Sequence, residues 1–214
     1  MKTLLYVQAS PRGAESKSIE VADSYLAKLV EKQPTLSVDV IRLWDEDLPE
    51  FGETEANLKT KIMKGHKPEG DEVAIWETIS RIARRFMSAD RYLFAVPMWN
   101  GGIPYRLKQY IDIVHQPGLT WGINPQTGFF GLLKDKHATI VLTSGAYRPG
   151  APIGFGQDYQ STYIRDWLNQ TGIEIVDAIC FQPTLLTPVP QEGLARAKDA
   201  ALTLAEQHAT SLTV

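Results

Sequence analysis

Residues 4–18 read LLYVQASPRGAESKS, an apolar run followed directly by a serine-rich turn. A helical pattern begins at once after the turn, because apolar side chains recur every three or four residues, at Ile19, Ala22, Leu26 and Leu29. We therefore predict a short buried strand over residues 4–7 and a helix from Ser16 to about Lys32. The turn between them lacks the glycine fingerprint of a dinucleotide-binding junction and offers hydroxyl groups instead.

The same alternation continues along the chain. Apolar runs predict four more strands, over residues 37–43, 91–96, 137–143 and 173–181. Helical spacing predicts a short surface helix within residues 48–70 and helices over residues 71–87, from Pro104 onward, over 158–170 and over 191–209. An excursion rich in glycine and aromatic residues, 115–136, is expected to form a small hairpin.

Buried strands that alternate with helices are typical of a parallel sheet covered on both faces. Five such strands fit the doubly wound, flavodoxin-like α/β order 2-1-3-4-5, which places a ligand crevice at the carboxyl ends of the strands. We predict one domain of this class over residues 1–214.

Composition excludes several classes of protein. The net charge of -3 over 214 residues gives no basic surface for nucleic acid, and the single cysteine, Cys180, allows no internal disulfide. The apolar run near the start is shorter than the roughly 7–15 residues of a secretory signal, and no run approaches the roughly 18 residues of a membrane span. We expect a soluble, cytoplasmic protein with no nucleic-acid partner and no membrane span.

Three loops should meet at the carboxyl edge of the sheet. The first suits a phosphate monoester, because a helix N-terminus offers unpaired N–H groups. Hydroxyls of Ser10, Ser16 and Ser18 would add donors there, and Lys17 or Arg12 would add positive charge. The alternative for this loop is that Ser16 only caps the helix.

The other two loops suit a flat ring with polar edges. In PMWNGGIP, residues 97–104, Met98 and Trp99 supply apolar surface, Asn100 supplies an amide, and the glycines allow close backbone approach. TSGAY, residues 143–147, again combines small residues with an aromatic side chain. Each loop alone could be an ordinary turn, with Trp99 in the core or Tyr147 exposed. Together, a phosphate turn and two ring-binding loops are the requirement of a mononucleotide flavin.

These motifs, SPRGAESKS, PMWNGGIPYRLKQYID and TSGAY, resemble those of the FMN-dependent NADH-azoreductases and quinone reductases of flavodoxin-like fold. The resemblance runs along nearly the whole chain, and GLTW with GFFGLL in residues 118–133 looks like the aromatic hairpin of that family. It implies a homodimer with FMN at the dimer interface. It also implies hydride transfer from NADH or NADPH through the flavin to a quinone or azo compound by a ping-pong mechanism.

The resemblance also implies a set of cofactor-binding residues. Around the phosphate and ribityl chain it places Ser10, Ser16, Lys17 and Ser18. Along the isoalloxazine it places Pro97, Met98, Trp99, Asn100 and Gly101, with Ser144, Gly145 and Tyr147 on the other side. Asn100 and Tyr147 are the candidates for assisting the chemistry. Many relatives have tyrosine or phenylalanine where Trp99 stands, which bears on substrate fit, and residues 52–68 form a variable segment that could shape the pocket.

The remaining titratable residues predict no acid–base set, and we expect no metal site. His137 and His208 are predicted to lie on the surface, and Cys180 to be an inert core residue. His115 is predicted to interact with a helix C-terminal dipole, with a place in the lining of the pocket as the alternative. Two alternatives to an enzyme stay open. One is a non-catalytic flavodoxin-type electron carrier, and the other is a nucleotide-binding protein without flavin.

Overall fold

The computed structural model describes residues 2–211, the last of them as backbone only. The described residues contain seven strands: β1 Thr3–Gln8, β2 Ser37–Arg42, β3 Arg91–Pro97, β4 Trp121–Asn124, β5 Gly128–Gly131, β6 His137–Thr143 and β7 Ile175–Phe181. They also contain six α-helices: α1 Lys17–Lys32, α2 Glu53–Met63, α3 Asp71–Ser88, α4 Tyr105–Val114, α5 Ser161–Thr171 and α6 Pro190–Ser211.

Five strands form one parallel sheet in the order β2-β1-β3-β6-β7. Counted within the sheet, this order is 2-1-3-4-5, which confirms the predicted flavodoxin-like topology. β4 and β5 pair antiparallel outside the sheet, so the excursion does form the expected hairpin. The short surface helix expected within residues 48–70 is α2.

Alternate residues of the central strands enter two separate cores. From β1, Leu5 and Val7 join a cluster that α3, α4 and α5 cover. Leu4 and Tyr6 point to the other face, where α1 and α6 provide the cover. This two-sided burial explains why these strands are apolar at nearly every position.

Helix α5 begins three residues later than its apolar pattern predicts, because Asp158 acts as a capping residue before it. The Asp158 Oδ1 atom accepts hydrogen bonds from the backbone N–H groups of Gln160 and Ser161, at 3.1 and 2.7 Å. A side chain that satisfies these amides fixes the start of a helix.

The prediction that Cys180 is a core residue is wrong, since its side chain is exposed. β7 is the outermost strand of the sheet, and the neighbours of Cys180, Ile179 and Phe181, point into the core under α6. Cys180 therefore faces the opposite side, where the edge of the sheet is left open.

The surface prediction is also wrong for His208, which is 7% exposed, and for His137, which is only partly exposed. The cause is the packing of α6 against α1, the first helix of the chain. The Tyr25 hydroxyl of α1 lies 2.8 Å from the His208 Nδ1 atom, and Lys28 forms an ion pair with Glu206 at 3.3 Å. Within residues 2–211, no helix is long and apolar enough to span a bilayer.

Candidate functional site

A cleft of about 200 Å³ lies at the carboxyl edge of the sheet, where the loops after β1, β3, β6 and β7 meet. The loop after β1 and the start of α1 supply its polar end, with Ser10, Arg12, Ser16 and Lys17. The other loops supply a mostly apolar end. The cleft is therefore amphiphilic along its length.

Ser16 both caps α1 and lines the cleft. Its Oγ atom accepts a hydrogen bond from the Ile19 N–H group at 3.4 Å and lies 3.0 Å from the Ser18 Oγ atom. The first amides of the helix, at Lys17 and Ser18, have no acceptor within the helix. Hydroxyls and unpaired amides at the positive end of a helix dipole form a site that favours an anion.

The two cations at this end differ in their surroundings. The Lys17 Nζ atom forms an exposed ion pair with Glu20 at 2.8 Å, so its charge is partly engaged along the helix. Lys17 and Lys198 both donate to the Glu20 carboxylate, and these hydrogen bonds lower its pKa. Arg12 is exposed and lines the cleft without belonging to the helix. Arg12 is therefore the better placed of the two to neutralise an anion.

The loop after β3 contains a tight turn from Trp99 to Gly102. Each of these two residues donates its N–H group to the carbonyl of the other, at 2.9 and 3.0 Å. The residues between them both have positive φ, 49° at Asn100 and 85° at Gly101. This is the geometry of a type I′ hairpin turn, for which Asn-Gly is the preferred pair. Among residues 2–211, neither the Asn100 N–H group nor the Gly101 N–H group donates to another backbone group, so both are available to a ligand.

Hydrogen bonds also connect the loops after β6 and β7. The Thr184 N–H donates to the Ser144 carbonyl at 2.7 Å, and the Leu185 N–H donates to the Gly145 carbonyl at 3.0 Å. The Ser144 Oγ atom donates to the Tyr147 carbonyl at 2.5 Å, which closes the loop after β6. A Cβ atom on Gly145 would lie 3.2 Å from Leu185 Cδ1. Any residue larger than glycine would therefore require the leucine side chain to shift.

Large apolar side chains around the mouth of the cleft remain in contact with solvent. Trp99 is 45% exposed, which excludes the alternative that it is a core residue, and Leu185 is 73% exposed. Tyr159, which is also exposed, lies beside the Asn-Gly turn, because a Cβ atom on Gly101 would be 3.7 Å from its ring. An apolar rim of this kind marks a surface for a ligand or a partner.

The structure brings together eight of the twelve residues proposed to bind a cofactor: Ser10, Ser16, Lys17, Pro97, Met98, Trp99, Ser144 and Gly145. Ser18 lies fully buried behind Ser16. Asn100 and Gly101 form the turn beside Trp99, and Tyr147 contributes its carbonyl to Ser144. Thr143, Thr184 and Leu185 also line the cleft but were absent from the sequence-based set.

His115 does not line the cleft, and it lies at the C-terminal end of α4 as its C-cap residue. Its imidazole stacks on Trp121 with ring centroids 5.3 Å apart. Burial, together with the charge of Lys59, lowers its pKa to about 4. The ring is therefore neutral at pH 7, and a neutral ring gains little from a helix dipole.

Comparison with known proteins agrees with this geometry. A family model described as flavodoxin-like fold matches residues 2–205. A Ruegeria pomeroyi protein named FMN-dependent NADH:quinone oxidoreductase is 47% identical over 205 residues, which are 96% of this chain and 100% of that protein. A Desulfotalea psychrophila protein of the same name is 38% identical over 208 residues, with 97% and 98% of the two chains covered.

Among solved structures, an FMN-dependent NADH-azoreductase from Bacillus anthracis in complex with FMN superposes with a TM-score of 0.85 at 25% identity. The match covers 97% of this chain and 100% of that one. These matches cover nearly the whole chain. The chain therefore belongs to the flavodoxin-like family that includes the FMN-dependent NADH:quinone oxidoreductases.

Proposed function

We propose that this protein is an FMN-dependent enzyme that takes a hydride from NAD(P)H and reduces quinones or azo compounds. The observation that carries the proposal is the amphiphilic cleft, with an anion-binding end at Ser16 and Arg12 and apolar side chains at Met98 and Trp99. This polarity matches a phosphorylated ribityl chain joined to an aromatic ring. The names of the relatives point to the same activity.

The donor set fits a monophosphate better than a dinucleotide. The turn after β1 presents hydroxyl groups and the first amides of α1, and it lacks the glycines that let a backbone approach a pyrophosphate. Gly13 lies in this turn with φ of 49°, but it is the first residue of the short helical turn Gly13–Glu15 and does not line the cleft. One phosphate at the N-terminus of α1 is therefore the natural occupant.

Bound FMN would supply the redox chemistry, and the chain would position it and tune its electronics. The backbone amides of Asn100 and Gly101 are the groups that would stabilise negative charge developing at the edge of the ring. Preorganised donors of this kind are worth about 3–4 kcal/mol in a dry site. Trp99 and Leu185 would lie at the border of the flavin face on which flat substrates stack.

The proposal includes a ping-pong order of reaction. A nicotinamide and a flat acceptor would both stack on the exposed face of the flavin ring, so they would occupy the same place in turn. The donor in the names of the relatives is NADH. Both NADH and NADPH remain to be compared as donors for this chain.

The proposal also includes a homodimer. A cleft of about 200 Å³ is smaller than the roughly 300–1,000 Å³ that enclose a whole ligand, so a ring held here would extend past the mouth. The exposed apolar residues at that mouth, such as Trp99 and Leu185, would then be covered by a second copy of the chain. We further propose a single domain over residues 1–214 and a cytoplasmic location, which the solitary cysteine supports.

The test is anaerobic titration of the purified protein, reconstituted with FMN. NADH should bleach the visible flavin absorbance, and a quinone should restore it. Steady-state rates at several fixed quinone concentrations should give parallel double-reciprocal lines. Tight FMN binding without rapid reduction by NADH would instead identify an electron carrier, and failure to bind FMN would overturn the proposal.

A further inference from the structure

Three metal-ligating side chains converge at the amino edge of the sheet, opposite the cleft. His137 opens β6, Asp177 lies in β7 and His208 lies in α6. The Nε2 atoms of His137 and His208 lie 2.6 and 3.1 Å from the same carboxylate oxygen, Asp177 Oδ2. All three candidate ligand atoms fall within 4.8 Å of one another. Two imidazole nitrogens and one carboxylate oxygen are therefore close enough together to share one cation after a small rearrangement.

Other residues hold this cluster in place. The Tyr25 hydroxyl contacts the His208 Nδ1 atom at 2.8 Å, and Thr139 Oγ1 donates to the same tyrosine oxygen at 3.4 Å. A second hydrogen bond at the ring nitrogen that faces away from a metal is what orients a histidine ligand.

We propose that His137, Asp177 and His208 bind one divalent transition-metal ion, with Zn²⁺ as the best fit. Two imidazole nitrogens and one carboxylate oxygen are a common zinc ligand set, with bonds of about 2.0–2.2 Å. Tetrahedral bonds of that length place ligand atoms roughly 3.3–3.5 Å apart. The two contacts of 2.6 and 3.1 Å need to open by less than about 1 Å to reach that spacing.

The fourth ligand would be water. The Asp177 side chain is 42% exposed, and His137 lines an open groove, so the cluster can be reached from solvent. Without metal, each imidazole can donate its Nε2 proton to Asp177. Binding requires each proton to move to Nδ1, and at His208 the Tyr25 oxygen is in position to accept the resulting N–H group.

One neighbouring charge opposes the ion. Arg91 is 9% exposed, has a buried Nη1 atom without a hydrogen-bond partner among residues 2–211, and is close enough for its charge to act on both histidines. Asp177 offsets one positive charge. We therefore expect a dissociation constant on the order of micromolar, weaker than that of structural zinc sites. Replacing Arg91 with glutamine should tighten zinc binding about 10-fold.

The experiment is calorimetric titration of the full-length protein with ZnCl₂ in a buffer that does not chelate metal. One saturable site is expected, and Asp177→Asn and His137→Gln should each weaken it at least 10-fold. His66→Gln is the matched control, because His66 pairs with Glu72 in the first turn of α3 and is not part of the cluster, so zinc binding should be unchanged. Equal affinity in wild type and Asp177→Asn would refute the site.

A second measurement uses only the wild-type protein, so it does not depend on variants that fold. Imidazole ¹⁵N resonances of His137 and His208 should move to metal-bound values on addition of one equivalent of Zn²⁺, while those of His66 stay in place. Unmoved resonances for the cluster would overturn the proposal even if zinc bound elsewhere. Neither readout depends on the flavin chemistry at the opposite edge.

Discussion

The Gln160 side chain donates a hydrogen bond from Nε2 to the Val96 carbonyl oxygen at 2.8 Å, and both residues are fully buried. The same Nε2 atom lies 3.5 Å from the Thr143 carbonyl, and Gln182 Nε2 donates to Gln160 Oε1 at 3.1 Å. One amide thus connects the ends of β3 and β6 with the loop after β7. It fixes the relative positions of three loops that form the cleft.

Gln160→Met should therefore loosen the site. The substitution keeps the volume but removes the amide that connects Val96 with Gln182, and losing a buried hydrogen bond costs about 0.5–1.5 kcal/mol of unfolding free energy. FMN affinity should fall with it, as measured by quenching of flavin fluorescence. Gln126→Met, at the exposed tip of the β4–β5 hairpin, is the control and should change neither value. Equal FMN affinity in both variants would argue against the connecting role.

Arg12→Ala tests the anion-binding end of the cleft. Loss of this exposed guanidinium charge should weaken FMN binding about 5–10-fold. Riboflavin, which lacks the phosphate, should bind as before. Lys17→Ala is the matched comparison. Its ammonium already pairs with Glu20, so its effect on FMN should be smaller. A parallel loss for riboflavin in Arg12→Ala would show that Arg12 shapes the cleft rather than holding the phosphate.

Two substitutions in the Asn100–Gly101 turn distinguish binding of FMN by the backbone amides from binding by the asparagine side chain. Asn100→Gly keeps the positive φ and the amides, so FMN affinity should stay within about 2-fold. Gly101→Ala forces an L residue to φ of 85°, at a cost of about 1–2 kcal/mol. The strain should displace the backbone amides of the turn and so weaken FMN binding. If Asn100→Gly is instead the more damaging change, the asparagine side chain makes the contact.

Gly131→Ala should detach the hairpin from the body of the protein. A Cβ atom there would lie 2.0 Å from the Gly172 nitrogen and 2.3 Å from the Thr171 carbonyl carbon, and backbone at the end of α5 cannot yield by rotating a side chain. We expect a loss of more than about 2 kcal/mol in urea unfolding. Gly154→Ala, with nothing within 4 Å of the added carbon and no positive φ, should change stability by less than about 0.5 kcal/mol.

His115 should make stability depend on pH in the mildly acidic range. Its folded pKa of about 4 lies below the ordinary 6.5, so the unfolded chain binds more protons and stability falls as pH drops from 6.5 toward 4. The loss by pH 4 should be on the order of 1–3 kcal/mol. His115→Phe keeps a flat ring against Trp121 and should make that slope shallower, leaving the part that His208 contributes, because burial lowers its pKa to about 4 as well. Urea unfolding at pH 7.5 measures the effect of the substitution on packing alone. Identical slopes of unfolding free energy against pH below 6.5 in the wild type and the variant would contradict the lowered pKa of His115.

The sheet could be predicted from sequence because its determinants are local. Each parallel strand is buried on both faces, so its run of apolar residues is unbroken, and the helices between them show their own period. The same reasoning located the loops after β1, β3 and β6. The loop with Thr184 and Leu185 was overlooked, although it follows a strand of the same sheet and must leave by the same edge. Its residues carry no pattern that distinguishes it from an ordinary connection.

Contacts between distant parts of the chain could not be predicted in this way. The burial of His208 depends on Tyr25, which is 183 positions away, and on the packing of α6 against α1. The exposure of Cys180 depends on β7 being an edge strand whose outer face lacks a cover. The turn at Asn100 and Gly101 did carry a local signal, the Asn-Gly pair, which indicates a hairpin turn more directly than close approach to a ligand.

The pairing of α1 with α6 has a consequence for synthesis of the protein. The ribosome makes α1 among the first segments and α6, residues 190–211, more than 150 residues later. Throughout that interval the side of α1 that will meet α6, including Tyr25, lacks its final cover. A nascent chain arrested before α6 emerges should therefore be prone to aggregation and dependent on chaperones.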